Sequence, residues 1–209
     1  NVAVGAGNKP VEQVTMNTVE IIRNGKEARK FDAVKVMTEY FDGEEDRLAA
    51  IEKEKADKIE AIKRVKEEFA TEIEAEKAKA TTLPSGLKVL TLKDGDGEKP
   101  KVGQKVNVMY AGYLMDGTLF DSNYEEVARK YGTFDSNREQ GGGYMPVPMD
   151  YSPESRLIAG FREGLLTMKI GDKVRLFIPS HLGYGAQGGG PIPADADLVF
   201  DLEITGLTQ

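Results

Sequence analysis

The sequence predicts an α+β fold, in which an antiparallel β-sheet packs against one short helix and a long helix precedes both. The short helix is predicted over 155–166, where Ile158, Phe161 and Leu165 have the i, i+3, i+7 spacing of an apolar helical face. Strand-like runs lie on both sides of it, at 105–115, 173–179 and 198–206. Because a lone amphipathic helix among strands must bury its apolar face, we expect it to pack against their sheet.

The start of the short helix is predicted from the residues just before it. Ser152 supplies a hydroxyl that can cap a helix, and Pro153 suits a first turn because an N–H is not needed there. We interpret Ile158 and Phe161 on this helix as the floor of a ligand pocket, and the sheet as its wall.

The sequence indicates three segments, 1–41, 42–82 and 83–209. In the first, 19–23 is a candidate strand that ends at the turn signal Asn24-Gly25. A helix is expected to follow, with the apolar residues Phe31, Val34, Met37 and Phe41. This segment is too short to form an independent domain.

The second segment is typical of one long charged helix, a stalk over 42–80. Asp42 can cap it, with Glu45 at the capping-box position. Its interrupted apolar stripe consists of Leu48, Ile51, Ile59, Ile62, Phe69 and Ile73. Three environments for the stripe stay open: solvent, if the helix is a spacer, a second copy of the chain, or the N-terminal segment.

The pattern changes to that of β-strands from Leu87 onward. Strands are predicted at 87–92, 106–114, 119–122, 173–179 and 198–206, with a hairpin turn at 115–118. A long excursion over 122–152 follows the hairpin and contains a helical piece at 125–130. An excursion of this length in a compact domain is usually functional or has structure of its own.

Composition argues against several classes of function. A net charge of −7 without a basic stripe disfavours nucleic acid as a partner, and no apolar run approaches the length of a membrane span. The absence of cysteine and the single His181 argue against thiolate chemistry, metal centres and histidine-dependent triads, so no cofactor or metal is expected. The glycine-rich stretches 94–98 and 141–143 lack the residues of a calcium or phosphate loop.

Two features bear on the cellular location. The chain has no cysteine, and it begins at Asn1 rather than at a methionine, as a mature or trimmed product would. Both fit an extracytoplasmic protein, in a periplasm or anchored to an outer membrane, and a cytoplasmic location is the alternative.

Five separated motifs occur in order along the third segment. They are VGQKVNVMYAG at 102–112, DGTLFDS at 116–122, LIAGFREGL at 157–165, IPSHLGYG at 178–185, and IP at 192–193 followed by LVFD at 198–201. In these motifs the segment 83–209 resembles the FKBP family of peptidyl-prolyl cis/trans isomerases. The resemblance implies a strongly curved antiparallel sheet wrapped around one short helix, and isomerase activity that assists the folding of polypeptide clients.

The resemblance also implies a site, transferred position by position onto the matching motifs. Phe161 would be the floor on which the proline ring sits, Tyr184 would donate to the substrate carbonyl, and Asp121 would orient polar groups at the rim. Val147 and Met149 stand where the family has aromatic wall residues, which makes this wall softer. The substrate-binding residues would be Tyr110, Phe120, Val147, Met149, Leu157, Ile158, Ile192 and Phe200.

The partners that the resemblance implies are proline-containing unfolded or partly folded polypeptides, and macrolide inhibitors. The helix over 42–80 resembles the stalk of dimeric, extracytoplasmic members of the family, which implies a homodimer through the stalk. Separately, 2–32 resembles the closing strand of a cyclophilin domain. The chain would then be the tail of a longer protein with two isomerase domains, although no complete cyclophilin domain is present.

Rotation about an X–Pro bond suits a chain with these residues. Amide resonance sets a barrier of about 18–20 kcal/mol, and no covalent bond is made or broken during the rotation. An apolar cup that excludes water favours the twisted amide, because a twisted amide is less polar than a planar one. The alternative function is that of a chaperone, a binding module that holds unfolded clients with little isomerase activity.

Overall fold

The computed structural model describes residues 24–208. The predicted strand at 19–23, and most of the cyclophilin-like segment 2–32, lie outside the described residues. The chain divides into two compact units, Asn1–Glu52 and Lys53–Gln209. The predicted division into 1–41, 42–82 and 83–209 stays a prediction.

Two short helices lie among residues 24–43, where a single helix was predicted. Helix α1 spans Lys26–Lys30 and helix α2 spans Ala33–Asp42. The prediction that Phe31 lies inside a helix is wrong, because the Asp32 carboxylate accepts a hydrogen bond from the Lys35 backbone N–H at 3.0 Å and starts a new helix there.

Helix α3 spans Glu44–Lys77 and is the predicted stalk helix. The prediction that Asp42 caps it is wrong, because Asp42 is the last residue of α2 and Gly43 separates the two helices. The first turn of α3 contains Glu44, Glu45 and Asp46, whose negative charges are favourable beside the unpaired N–H groups of a helix start. No helix described between residues 24 and 208 is long and apolar enough to cross a bilayer.

The second unit is built on one antiparallel sheet. Within residues 24–208 the sheet has seven strands in the order β1-β2-β6-β7-β3-β4, and β5 pairs with the first half of β3, on the same edge as β4. The strands are β1 Thr81–Thr82, β2 Lys88–Lys93, β3 Lys105–Leu114, β4 Leu119–Ser122, β5 Val147–Asp150, β6 Lys173–Ile178 and β7 Leu198–Leu207. The predicted strands are confirmed with shifts of a residue at their ends, and so is the α+β fold class.

The hairpin between β3 and β4 shows why glycine is needed in its turn. Gly117 has φ 82°, and a Cβ placed on it would lie 2.2 Å from the backbone oxygen of Lys66 on α3. A side chain at this position would therefore be strained in conformation and would also push the long helix away from the turn.

The excursion over 122–152 has structure of its own. The predicted helical piece is confirmed as α4, Glu125–Lys130. Helix α5, Ser136–Gln140, and strand β5 were not predicted. Pro148 lies within β5 and has no N–H to donate, which is tolerated because β5 lies at the edge of the sheet.

The short helix, α6, spans Ala159–Thr167 and packs on β6. Two glycines let the helix approach the strand closely. A Cβ on Gly160 would lie 2.5 Å from Ile178, and one on Gly164 would lie 2.3 Å from Leu176. The core around this contact contains Leu87, Val106, Val108, Phe161, Leu165, Met168, Leu176, Ile178, Leu198, Phe200, Leu202 and Ile204.

The predicted start of α6 at residue 155 is wrong. Ile158 is the residue before the helix and makes no capping bond with its side chain, while Ser152 accepts a hydrogen bond from the N–H of Glu154 in a turn. The Arg162 guanidinium donates to the backbone oxygens of Ser155 and Leu157, at 2.9 and 3.3 Å. These bonds hold the segment before Ala159 in an irregular path instead of an additional helical turn.

A second cluster lies where the later half of α3 packs on the sheet. Ile73 is fully buried, and the rings of Phe69 and Tyr113 have centroids 4.3 Å apart. Leu48, Ile51 and Ile59, earlier in the same stripe, are between 48% and 67% exposed. The stripe therefore divides: its later half packs on the sheet, an environment that was not among the three predicted for it. The buried members of this cluster are Ile73, Ala111, Tyr113, Tyr131, Phe177 and Val199.

Candidate functional site

Four aromatic rings from different elements meet over α6 and form a cup. Phe161 of α6 contacts Phe200 of β7 edge to face, with ring centroids 5.1 Å apart, and Tyr110 of β3 at 6.4 Å. Phe200 in turn contacts Phe120 of β4 at 5.4 Å. The rings border an open cavity with a volume of about 680 Å³. This is the size of a pocket that holds a small ligand or part of a peptide.

A glycine makes room for two of these rings. Gly112 on β3 lies opposite Phe200 of β7 in the register of the sheet. A Cβ on Gly112 would lie 2.6 Å from the ring of Phe120 and 2.7 Å from that of Phe200. The edge-to-face contact of these rings therefore depends on a residue without a side chain on the strand beneath them.

The polar part of the cavity is a carboxylate held by two donors. The Tyr110 hydroxyl donates to Asp121 Oδ2 at 2.6 Å, and Arg138 Nη1 of α5 donates to Asp121 Oδ1 at 2.9 Å. Arg138 Nε also donates to the backbone oxygen of Gly143 at 3.3 Å. Each Asp121 oxygen therefore has a donor, and the excursion supplies one of them.

The pKa values of the two donors fit these roles. Burial raises the pKa of Tyr110 to about 12, with further contributions from its hydrogen bond to Asp121 and the charge of that carboxylate. Burial lowers the pKa of Arg138, but the hydrogen bond to Asp121 and its charge raise it by more. At neutral pH Tyr110 is thus a neutral hydroxyl donor, and Arg138 carries its positive charge.

Tyr184 lies at the open side of the cup, between the short 3₁₀ turns Ser180–Leu182 and Gly185–Gln187. Its side chain is 41% exposed, and a Cβ on Gly189 would lie 3.0 Å from its ring. Gly189 and Ile192 exchange backbone hydrogen bonds of 2.9 Å and form a tight loop against the ring. Among residues 24–208 the Tyr184 hydroxyl has no hydrogen-bond partner, so it can donate to a ligand.

The cavity brings together the whole set of residues that the resemblance implied. Its lining contains Tyr110, Phe120, Asp121, Val147, Met149, Leu157, Ile158, Phe161, Tyr184, Ile192 and Phe200. The contacts of these residues with a substrate, and the roles of Tyr184, Asp121 and Phe161, stay predictions. Val147 and Met149 lie on the unpredicted strand β5, so the soft wall is a strand at the edge of the sheet.

Sequence reasoning missed four residues of the site. Arg156, Gly189 and Pro191 also line the cavity, and Arg138 binds Asp121 from outside the lining. Arg156 directly precedes the motif that begins at Leu157, so extending that motif by a residue would have included it. No local pattern connects Arg138 with Asp121, because the pair forms only when the excursion folds back over the rim.

Comparisons with known proteins find the family that the motifs resemble. The family profile described as FKBP-type peptidyl-prolyl cis-trans isomerase matches residues 96–205. The FKBP-type peptidyl-prolyl cis-trans isomerase FkpA of Aeromonas hydrophila is 36% identical over 189 residues, which cover 88% of this chain and 61% of that protein. FK506-binding protein 1 of Dictyostelium discoideum is 38% identical over 120 residues, which cover 57% of this chain and 95% of that protein.

A solved structure shows the same likeness over most of the chain. The crystal structure of FkpA from Escherichia coli is 29% identical, covers 86% of this chain and 74% of that chain, and has a TM-score of 0.50. The chain spans about three fifths of the length of the Aeromonas relative.

Proposed function

Because the chain belongs to the family of FKBP-type peptidyl-prolyl cis-trans isomerases, we propose that it catalyses rotation about X–Pro bonds in polypeptide clients and so assists their folding. The observation that carries the proposal is the cup, in which Phe161 packs edge to face with Tyr110 and Phe200. Phe161 and Phe200 are almost entirely buried, so the floor and one wall expose little surface to water before a substrate arrives.

The cup acts on the polarity of the amide. A planar amide is stabilised by water more than a twisted one, because resonance separates charge in the planar form. Seating the proline ring on Phe161, with Ile158 and Leu157 beside it, removes that water and lowers the relative free energy of the twisted amide. Each 1.4 kcal/mol of this difference accelerates the rotation about tenfold.

The polar groups of the rim have different tasks in this mechanism. Tyr184 donates its hydroxyl to the carbonyl of the residue that precedes the proline or of a neighbouring residue. Asp121 accepts one hydrogen bond on each oxygen, from Tyr110 and Arg138, so it fixes the position of the Tyr110 ring rather than moving a proton. The reaction needs no proton transfer, which agrees with this static role.

Wild-type protein is expected to accelerate cis-to-trans conversion of a proline-containing peptide, measured against the uncatalysed rate. Tyr184→Phe removes the free hydroxyl donor while keeping the ring. We expect a loss in kcat/KM of about two- to tenfold, the effect of one net hydrogen bond.

A macrolide that binds relatives such as FK506-binding protein 1 is expected to compete with the peptide.

The matched control is Tyr40→Phe, the same chemical change on an exposed tyrosine of α2. It is expected to leave kcat/KM unchanged. A wild-type protein that does not change the peptide rate would show that isomerisation is not its activity. Equal effects of Tyr40→Phe and Tyr184→Phe would show that the Tyr184 hydroxyl has no specific role.

A holding function is the second candidate, and exposed apolar side chains favour it. Val34, Met37 and Phe41 are more than half exposed and line a groove of about 490 Å³ on α2. Protein that suppresses aggregation of an unfolded client equally well after Tyr184→Phe would support a chaperone role separate from the cup. Both functions can belong to one chain.

The stalk is proposed to form a homodimer through the exposed half of its stripe, Leu48, Ile51 and Ile59. Three apolar side chains of this size on a charged helix are better accommodated against a second copy than in water. Sedimentation that shows a monomer at high protein concentration would contradict this. An extracytoplasmic location is likewise a proposal, and it is supported by the likeness to the FkpA proteins.

A further inference from the structure

A second cavity adjoins the aromatic cup. Its volume is about 640 Å³, and it lies between strand β5 and the irregular segment 152–157. It shares part of its wall with the cup, namely Val147, Met149, Arg156 and Leu157. The two cavities therefore lie side by side, and each is large enough by itself to hold a ligand.

The second cavity borders an edge of the sheet. Among the described strands β5 pairs with β3 alone, in a register that runs from Lys105 opposite Asp150 to Val108 opposite Val147. Every residue of β5 also lines the second cavity. A chain that leaves the cup over the shared wall would thus run beside an edge strand, where extended polypeptides bind in other proteins.

Among the charged residues that line the two cavities, Arg156 is distinguished by its position. It is exposed, it is the charged member of the shared wall, and no carboxylate lies within ion-pair distance of it among residues 24–208. Of the two carboxylates that line the second cavity, Asp150 is paired with Lys105 at 2.8 Å, whereas Glu154 hydrogen-bonds with Ser152 and does not belong to the wall shared with the cup. A polypeptide that passes from one cavity to the other therefore meets a positive charge whose partner is not supplied by the described chain.

We propose that the second cavity holds residues that flank the proline of an extended client, and that Arg156 selects an acidic side chain there. The proposal rests on the proposed isomerase function, because it takes the proline to sit in the cup. It gives the client a chemistry beyond the proline itself: an acidic residue close to the X–Pro bond.

Peptides with glutamate, glutamine or lysine at successive positions on either side of the proline test the proposal. At the position that reaches Arg156, wild-type kcat/KM is expected to be about threefold higher for glutamate than for lysine at low salt, the size of an exposed ion pair. Arg156→Gln is expected to abolish the preference and Arg156→Glu to reverse it. The preference is expected to shrink in high salt.

The control variant is Arg64→Glu, which changes the net charge equally at an exposed position of α3 that lines neither cavity. It is expected to retain the wild-type preference. Equal rates for glutamate and lysine at every position, or a preference that survives Arg156→Glu, would overturn the proposal. A preference for lysine that disappears in Glu154→Gln would show that the opposite charge governs the cavity.

Binding is measured in parallel, so that failure of the inference differs from failure of the proposed function. Amide chemical shifts of Gly103 and Ser155, which line the second cavity but not the cup, are followed during titration with each peptide. Peptides that bind with the Arg156-dependent preference but are not isomerised would sustain the inference and contradict the function. Peptides that are isomerised without shifting these two amide signals would sustain the function and contradict the inference. Peptides that do not bind at all would contradict both the function and the inference.

Discussion

Replacing Phe161 with alanine is expected to lower kcat/KM for peptide isomerisation by about 10- to 150-fold. The ring is 5% exposed and forms the floor of the cup, with Tyr110 and Phe200 packed on its sides. The contribution of the ring to transition-state binding is expected to be of the size of burying a phenylalanine side chain, about 1.5–3 kcal/mol. Without the ring, water enters beneath the amide and the planar form regains its solvation.

The same substitution also removes a core residue, so the effects on activity and stability must be separated. Phe161→Ala is expected to reduce the free energy of unfolding by about 3–5 kcal/mol, measured in urea. Leu165→Ala is the matched control, because Leu165 lies one turn later on α6, is fully buried and does not line the cavity. It is expected to cost about 2–5 kcal/mol of stability while kcat/KM per folded molecule stays near that of the wild type.

Two outcomes for the activities of Phe161→Ala and Leu165→Ala would contradict the mechanism. Activities are measured at a temperature and urea concentration where circular dichroism shows both variants folded. If Leu165→Ala then loses as much activity as Phe161→Ala, general loosening of α6 explains the loss and the floor has no specific role. If Phe161→Ala keeps its activity, rotation of the X–Pro bond does not depend on a dry cup.

Local sequence patterns were sufficient to predict two elements of the cup, β3 and α6, but not the edge strand β5. The strand-like run at 106–114, which ends at a hairpin turn, predicted β3, and the i, i+3, i+7 spacing of Ile158, Phe161 and Leu165 predicted α6. Such patterns arise because one face of an element is buried, so the spacing of apolar residues along the sequence indicates the buried face. The start of α6 was misjudged because Ser152 and Pro153 satisfy the rules for a helix start, whereas the bonds of Arg162 to the preceding backbone are not visible in those rules.

The residues that close the rim could not be predicted in this way. Arg138 contacts Asp121 because the excursion over 122–152 folds back over the rim, and the path of that excursion depends on several loops. The stalk stripe illustrates the same limit, since a stripe identifies an apolar face without identifying what covers it. Phe69 and Ile73 contact the sheet, while Leu48 and Ile51 in the same stripe are exposed.

The attachment of α3 to the sheet gives the second large effect. Arg175 of β6 lies opposite Asp201 of β7 in the register and donates to both of its oxygens, at 2.6 and 2.8 Å. Its remaining nitrogen, Nη1, donates to Glu72 at 2.8 Å and to Glu76 at 2.6 Å, both on α3. Burial lowers the pKa of Arg175, but Asp201 and the two glutamates raise it by more. The net shift is upward, so the side chain stays charged.

Arg175→Met is expected to reduce the free energy of unfolding by about 3–5 kcal/mol, measured in urea. The Asp201 side chain is only 12% exposed, and removal of its partner leaves a buried carboxylate without a matching charge. Glu72→Gln is the control: this side chain is 53% exposed, so the loss is expected to be below about 1 kcal/mol. Asp201→Asn in the Arg175→Met background is expected to recover part of the stability, because the uncompensated charge is gone.

Hydrogen exchange distinguishes loss of the helix contact from loss of the sheet. Since Arg175 joins the strands to α3, Arg175→Met is expected to accelerate exchange of amides near Phe69 and Ile73 more than those near Leu48. If Glu72→Gln destabilises as much as Arg175→Met, the surface charge and not the buried pair holds the helix. If Arg175→Met costs less than about 1 kcal/mol, packing of Phe69 against Tyr113 and burial of Ile73 are sufficient, and the ion network only sets the position of the helix on the sheet.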